Sequence, residues 1–169
     1  KFTKLKCTLM PYLYAAAVET HRTGLPSMRA MVLEFPDDIP CLDLDRQYML
    51  GDRLLVAPVF TESGDVDYYL PAGTWTNLLD NRVAEGGRWL HEVHDFLSLP
   101  LMVRENTLLP IGADDHNVEY DYGKDLTLHL FALKDQARAD VKDMGGGDLL
   151  TAWAKNENGS VTVTFQGRA

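Results

Sequence analysis

The sequence has little cysteine, no excess of basic residues and no long hydrophobic run. Cys7 and Cys41 fit neither a disulfide framework nor a CxxC metal or redox pattern, so we expect free, buried thiols and a cytoplasmic location. Acidic residues outnumber basic ones by 25 to 16, and the net charge of −9 argues against binding to nucleic-acid phosphates or anionic lipid. Because no stretch approaches the roughly 18 apolar residues of a membrane span, we expect no membrane partner.

The sequence also lacks the local motifs of common catalytic sites. It contains no GxSxG elbow, no phosphate loop and no dinucleotide fingerprint. The stretch HEVHD, residues 91–95, departs from the HExxH zinc motif, and its two histidines point to opposite faces of a strand. Aspartates such as Asp37, Asp38 and Asp52 follow turn residues, where they favour turns over a catalytic pair. We therefore predict no catalytic residue, no cofactor and no metal site.

Apolar residues recur every three or four positions between residues 2 and 23, which predicts a helix, and Gly24 with Pro26 provides its stop. Pro11 removes a backbone hydrogen bond inside this stretch, so the helix should kink there unless a second helix begins nearby. No later stretch predicts a second long helix. We therefore expect the apolar stripe of this helix to pack against something outside the chain.

Short β-type runs follow Pro26, separated by turn residues. They read MRAMVLEF, RLLVAPVF, DVDYYL, TWTNLL, GRWL, FLSLPLMVR and TLLPI. Their regular spacing predicts an antiparallel sandwich or barrel over residues 26–112.

A second β domain is expected over residues 113–169, in which the strands follow an acidic connector from Gly112 to Asp125. It contains LTLHLFAL and a hairpin whose Asn158-Gly159 pair predicts a type I′ turn. Three or four strands form a marginal sheet, so we expect this second β domain to be incomplete.

Trp75 and Trp89 are the candidate ligand contacts, because aromatic rings on a β-surface can stack on sugar rings. The segments TWTNLL and RWL could pair as a hairpin around residues 80–87, and the two indoles would then lie on neighbouring strands. Burial would make them core residues, whereas exposure would make them a carbohydrate platform. The sequence leaves both alternatives open.

Five motifs in order resemble the C-terminal part of glycoside hydrolase family 31 over residues 1–135. They are KLKCTLMPYLYAAAVETHRTGLPSMRAMVLEFPDD, LDRQYMLGDRLLVAPVF, YYLPAGTWTNLL, GGRW and FLSLPLMVRENTLLPIG. Within the family, LDRQYMLGD and LHLFALKD look most similar to bacterial α-xylosidases, with α-glucosidases next. The resemblance implies a mainly β fold: an N-terminal helix that is the last helix of a missing TIM barrel (1–25), an antiparallel β-sandwich (26–112) and the start of a distal β domain (113–169).

The resemblance further implies that the parent enzyme hydrolyses terminal α-linked xylosyl or glucosyl residues with retention, using two aspartates on barrel strands. No position in this sequence matches those catalytic motifs, so we expect a fragment that is inactive alone and that meets its oligosaccharide substrate only through the missing barrel. A homo-oligomer is also expected. Two alternatives remain: a stand-alone carbohydrate-binding sandwich, and an oligomerisation element with exposed sheet edges.

Overall fold

The computed structural model describes residues 1–167 and is mainly β, with antiparallel strands after an N-terminal helical segment. The helices are α1 (Phe2–Thr8), α2 (Met10–Thr23) and α3 (Met31–Glu34), and a 3-10 turn spans Ile39–Leu42. The strands are β1 (Met28–Ala30), β2 (Tyr48–Leu50), β3 (Leu54–Val56), β4 (Asp65–Leu70), β5 (Thr74–Asn77), β6 (Val83–Glu85), β7 (Arg88–Val93), β8 (Leu101–Arg104), β9 (Thr107–Ile111), β10 (Thr127–Phe131), β11 (Gln136–Lys142), β12 (Asp148–Glu157) and β13 (Ser160–Gly167).

The chain forms two compact units. The sandwich unit comprises Pro26–Glu105, and the helix–sheet unit comprises Lys1–Leu25 with the chain from Asn106 onward. Strand β9 falls in the helix–sheet unit because it pairs with β10.

The helical segment is broken at Leu9, as the proline predicts. Pro11 lies in the first turn of α2, where its missing N–H removes no helical hydrogen bond. Gly24 caps the other end with a φ of 79°, and its N–H donates to the carbonyl of Thr20. At the position of the expected kink, α1 ends and α2 begins.

Helix α2 packs against strands and tyrosines of its own unit. Its partners form a buried cluster of Tyr122, Val141 and Leu150. Met10 and Tyr14 contact this cluster, and the ring centroids of Tyr14 and Tyr122 are 5.7 Å apart. The Tyr120 hydroxyl donates to the Cys7 carbonyl at 2.8 Å. These contacts use Met10 and Tyr14, whereas Phe2, Leu5 and Leu13 of the predicted apolar stripe stay partly exposed and Ala17 is exposed. The expectation that the stripe packs against something outside the chain therefore stays a prediction.

The sandwich unit has one six-stranded sheet, in the order β1-β2-β3-β8-β5-β6, and one two-stranded sheet of β4 and β7. The core between them contains large side chains: Met31, Met49, Leu55, Tyr68, Leu70, Trp75 and Met102. The predicted antiparallel sandwich is confirmed.

Two local predictions in the sandwich unit are wrong. Residues 31–34 of the predicted strand MRAMVLEF form the single helical turn α3. The expected hairpin between TWTNLL and RWL is also absent from the described residues, because β5 pairs with β6 and β8 while β7 pairs with β4 in the other sheet. The chain changes sheets at Gly86 and Gly87, whose N–H groups donate to the carbonyls of Gly73 and Leu70. A Cβ on Gly86 would lie 1.8 Å from the Pro71 carbonyl oxygen, so this crossing requires glycine.

The helix–sheet unit contains the β9–β10 pair and the three-stranded sheet β11-β12-β13. The core of this unit's sheets consists of four alanines and one leucine, with Leu128 and Leu133 packed against them: Leu108, Ala137, Ala139, Ala152 and Ala154. Asn158 and Gly159 have φ values of 54° and 85°, which confirms the predicted type I′ turn between β12 and β13. Strand β13 is exposed along its whole length.

Both cysteines are buried and free, as predicted. None of the helices within residues 1–167 combines the length and the apolar character that crossing a membrane requires.

Candidate functional site

The two candidate tryptophans have opposite environments. Trp75 is 1% exposed in the sandwich core, and its Nε1 donates to the Pro71 carbonyl at 2.8 Å. Its indole is therefore a packing element and has no face open to a ligand. Trp89 is 55% exposed on β7. Only Trp89 retains the exposure that a sugar contact requires.

The Trp89 ring is held in place by Tyr69, which lies directly opposite on β4. Their ring centroids are 5.7 Å apart at an interplanar angle of 55°. The buried Gln47 amide accepts the Tyr69 N–H and donates to the Tyr69 carbonyl, both at 2.8 Å. Since these backbone groups point to Gln47, Tyr69 and Trp89 form a non-hydrogen-bonded pair, in which side chains approach closely. The Tyr69 ring therefore supports one side of the Trp89 ring.

Tyr69 is itself fixed at its far end. Its hydroxyl donates to the Asp38 carboxylate at 3.1 Å. Burial raises the pKa of Tyr69, and the Asp38 carboxylate adds to that rise. The tyrosine therefore stays a neutral hydrogen-bond donor.

The same face of the β4–β7 sheet carries Asp65, Asp67 and His91. His91 lies opposite Asp67, with Nδ1 3.0 Å from the Asp67 carboxylate and Nε2 3.3 Å from that of Asp65. Alternation along DVDYYL places both aspartates on the face of Tyr69, a pattern that is visible in the sequence.

A cleft of about 340 Å³ opens on this face. Its walls are residues 43–47, then Pro58, Phe60 and Thr61, then residues 65–67, and finally Trp89. Phe60 is also exposed, and the Thr61 hydroxyl donates to the Asp65 carbonyl at 2.7 Å, which fixes the wall that both residues belong to. The volume falls within the range of about 300–1,000 Å³ typical of small-ligand pockets.

Asp65 and Asp67 lack the burial of a catalytic carboxylate pair. The side chains of Asp65 and Asp67 are 43% and 74% exposed and share one histidine. A general acid of a glycosidase depends on apolar burial to keep its proton at neutral pH. The exposed carboxylates can accept hydrogen bonds from a ligand.

Glu92 of HEVHD lies on the opposite face of β7 and contacts His94 of the same motif. The Glu92 carboxylate accepts from the Tyr68 hydroxyl at 2.9 Å and from Arg82 at 2.5 Å, and it contacts His94 Nε2 at 2.9 Å. Burial raises the pKa of Tyr68, and the neighbouring Glu92 carboxylate raises it further. Among residues 1–167 no group of three or more His, Cys, Asp and Glu side chains could hold a metal ion. Glu92 is thus the centre of a structural network.

Comparison with known proteins gives one family match. The model described as the glycosyl hydrolase family 31 C-terminal domain matches residues 24–109. This range nearly coincides with the sandwich unit.

Individual relatives agree with that match. The alpha-xylosidase XylQ of Lactiplantibacillus pentosus is 38% identical over 167 residues, which cover 96% of this chain and 22% of the relative. An alpha-xylosidase of Emericella nidulans is 44% identical over 117 residues, covering 64% of this chain and 15% of the relative. The solved structure of a family 31 dextranase from Flavobacterium johnsoniae superposes with a TM-score of 0.82 at 27% identity, covering 95% of this chain and 21% of that one. The matched parts of the chain thus span between 15% and 22% of the length of these proteins.

Proposed function

Because the chain belongs to glycoside hydrolase family 31, we propose that it is the C-terminal accessory region of a retaining α-glycosidase of the α-xylosidase type, with α-glucosidase as the alternative specificity. The observation that carries the proposal is the match of the family's C-terminal domain to residues 24–109. The identity of 38% with an α-xylosidase over nearly the whole chain supports the finer assignment.

In this proposal the reacting carboxylates belong to a barrel outside these residues, and the chain alone is inactive. Two facts support it: the chain spans 22% of XylQ, and the cleft aspartates lack the burial of a catalytic acid. Residues 1–25 would complete the barrel, with residues 26–112 as the proximal and 113–169 as the distal β domain. The parent would act on oligosaccharides as a homo-oligomer in the cytoplasm.

The proposed role is mechanical support. A sandwich with a core of large side chains presents a rigid surface, and such a surface can hold barrel loops in one geometry. Catalysis benefits because reacting groups must be held within a fraction of an ångström of the productive arrangement.

Incubation of the purified chain with 4-nitrophenyl α-xyloside and 4-nitrophenyl α-glucoside tests the proposal. We expect no nitrophenol release above the buffer rate, while XylQ assayed in parallel as positive control hydrolyses the xyloside. Turnover by the chain that survives further purification would refute the accessory role.

A further inference from the structure

We propose that the cleft beside Trp89 is a non-catalytic binding site for a neutral saccharide. The ligand would lay an apolar face of one sugar ring on the indole and direct its hydroxyls to the polar walls of the cleft.

The aromatic element of the site is pre-oriented. Trp89 is 55% exposed, yet its ring is backed by the buried Tyr69 at a centroid distance of 5.7 Å. Tyr69 is in turn clamped by Gln47 on its backbone and by Asp38 on its hydroxyl. A large aromatic ring that is held rigidly and left open loses little entropy when a ligand stacks on it. An exposed tryptophan without a binding role would need no such support.

The polar element lies at the distance of one sugar ring. Trp89 and His91 are two positions apart on β7, so their side chains project from the same face about 7 Å apart. The His91 ring nitrogens lie within 3.3 Å of one oxygen each of Asp65 and Asp67 and leave the other oxygen of each carboxylate uncontacted by the ring. A carboxylate offers about four acceptor sites, so both aspartates keep acceptors for sugar hydroxyls. Arg46, also in the lining, can donate to ring and hydroxyl oxygens.

The charge of the cleft selects the class of sugar. Asp43, Asp45, Asp65 and Asp67 line it together with one arginine, and the whole chain carries a net charge of −9. An acidic saccharide would be repelled by these carboxylates. A neutral saccharide donates hydroxyl hydrogens to them without that penalty, so the cleft favours neutral sugars.

Saccharide binding at this cleft and the proposed accessory role can fail independently of each other. A titration of the chain measures occupancy and no turnover, so its failure would leave the accessory role intact. Conversely, hydrolysis by the chain would refute the accessory role and would not by itself create or remove a site at Trp89.

The test is a titration of the full chain with xylotriose and maltotriose, followed by intrinsic tryptophan fluorescence and by calorimetry. We expect saturable binding of at least one neutral trisaccharide and none of trigalacturonic acid. Trp89→Ala should weaken binding about 10-fold or more, which corresponds to about 1.4 kcal/mol. Asp67→Asn, which keeps an acceptor and removes one of the four lining carboxylates, should weaken binding of the neutral sugar less than Trp89→Ala does.

The matched control is Trp153→Phe, because Trp153 is a partly exposed tryptophan on β12, outside the cleft, with Arg138 over its ring. This variant should bind with wild-type affinity. Circular dichroism identical to wild type for Trp89→Ala excludes unfolding as the cause of its loss. The inference would be overturned if neither neutral sugar showed saturable binding, or if wild type and Trp89→Ala bound with equal affinity.

Discussion

The sandwich unit and the helix–sheet unit bury their apolar residues in different ways. In the sandwich unit two sheets enclose large side chains, including Trp75, Tyr68 and Met49, all nearly inaccessible to solvent. In the helix–sheet unit the β11-β12-β13 sheet presents alanines to its core, and its last strand is exposed on both faces.

The difference teaches how each unit tolerates change. A core of large residues is sensitive to loss of volume, because a cavity forfeits both burial and contacts. A core of alanines is sensitive to gain of volume, because the backbones of facing elements approach closely and leave no room for larger side chains. The exposed strand β13 should tolerate substitution in either direction.

The largest expected effect comes from removing the buried indole of the sandwich unit. Trp75→Ala should lower the free energy of unfolding by about 3–5 kcal/mol, whereas Trp89→Ala should cost about 1 kcal/mol or less through its lost pairing with Tyr69. Urea unfolding followed by circular dichroism measures both midpoints. Equal losses in the two variants would contradict the contrast between a core and a surface tryptophan.

Enlarging an alanine tests the other unit. Ala152 is 1% exposed and lies opposite Phe165, which is 60% exposed on the neighbouring strand. Ala152→Leu should cost about 1–3 kcal/mol through overpacking. The matched change Phe165→Ser, on the same face of the same sheet, should stay within about 0.5 kcal/mol. A stabilising Ala152→Leu would show that the alanine core is loosely packed.

Alkaline pH should lower the stability of both units, because burial also raises the pKa of Tyr68 and of Tyr69 in the sandwich unit, and Tyr120 provides the test in the helix–sheet unit. Burial raises the pKa of Tyr120 to about 12, from 10.0. Its contribution to stability is therefore complete below pH 10 and is lost as the pH rises to about 12, because the unfolded chain releases this proton first. Tyr120→Phe should reduce the loss of stability across this window in urea titrations at stepped pH. The pKa of Tyr122 shifts in the same direction, so a residual slope should remain. An unchanged slope in Tyr120→Phe would show that Tyr120 does not titrate in the folded state as described.

Much of the fold could be predicted because its signals are local. Pro11 marks the change of helix, and the strands DVDYYL and TLLPI have the predicted bounds. Strand β11 was not predicted, although Ala137, Ala139 and Val141 alternate inward, because alanine favours helices over strands.

The candidate site depended on information that is not local. Trp75 and Trp89 each follow a glycine by two positions, and only the pairing of β7 with β4 leaves one buried and one exposed. Gln47 reaches Tyr69 across 22 positions, and no periodicity indicates such a contact. Strand partners and clamps of this kind are set by tertiary packing, which overrides local preference.

The proposed accessory role requires that these residues contain no nucleophilic carboxylate for glycosyl transfer. Retaining glycosidases pass through a covalent glycosyl-enzyme, which a 5-fluoroxylosyl fluoride traps. The most direct measurement is the intact mass of the chain after prolonged incubation with this reagent, with XylQ as the labelled control. We predict that the mass stays at the unmodified value of 19.0 kDa. A stoichiometric increase by one fluoroxylosyl group would contradict the account.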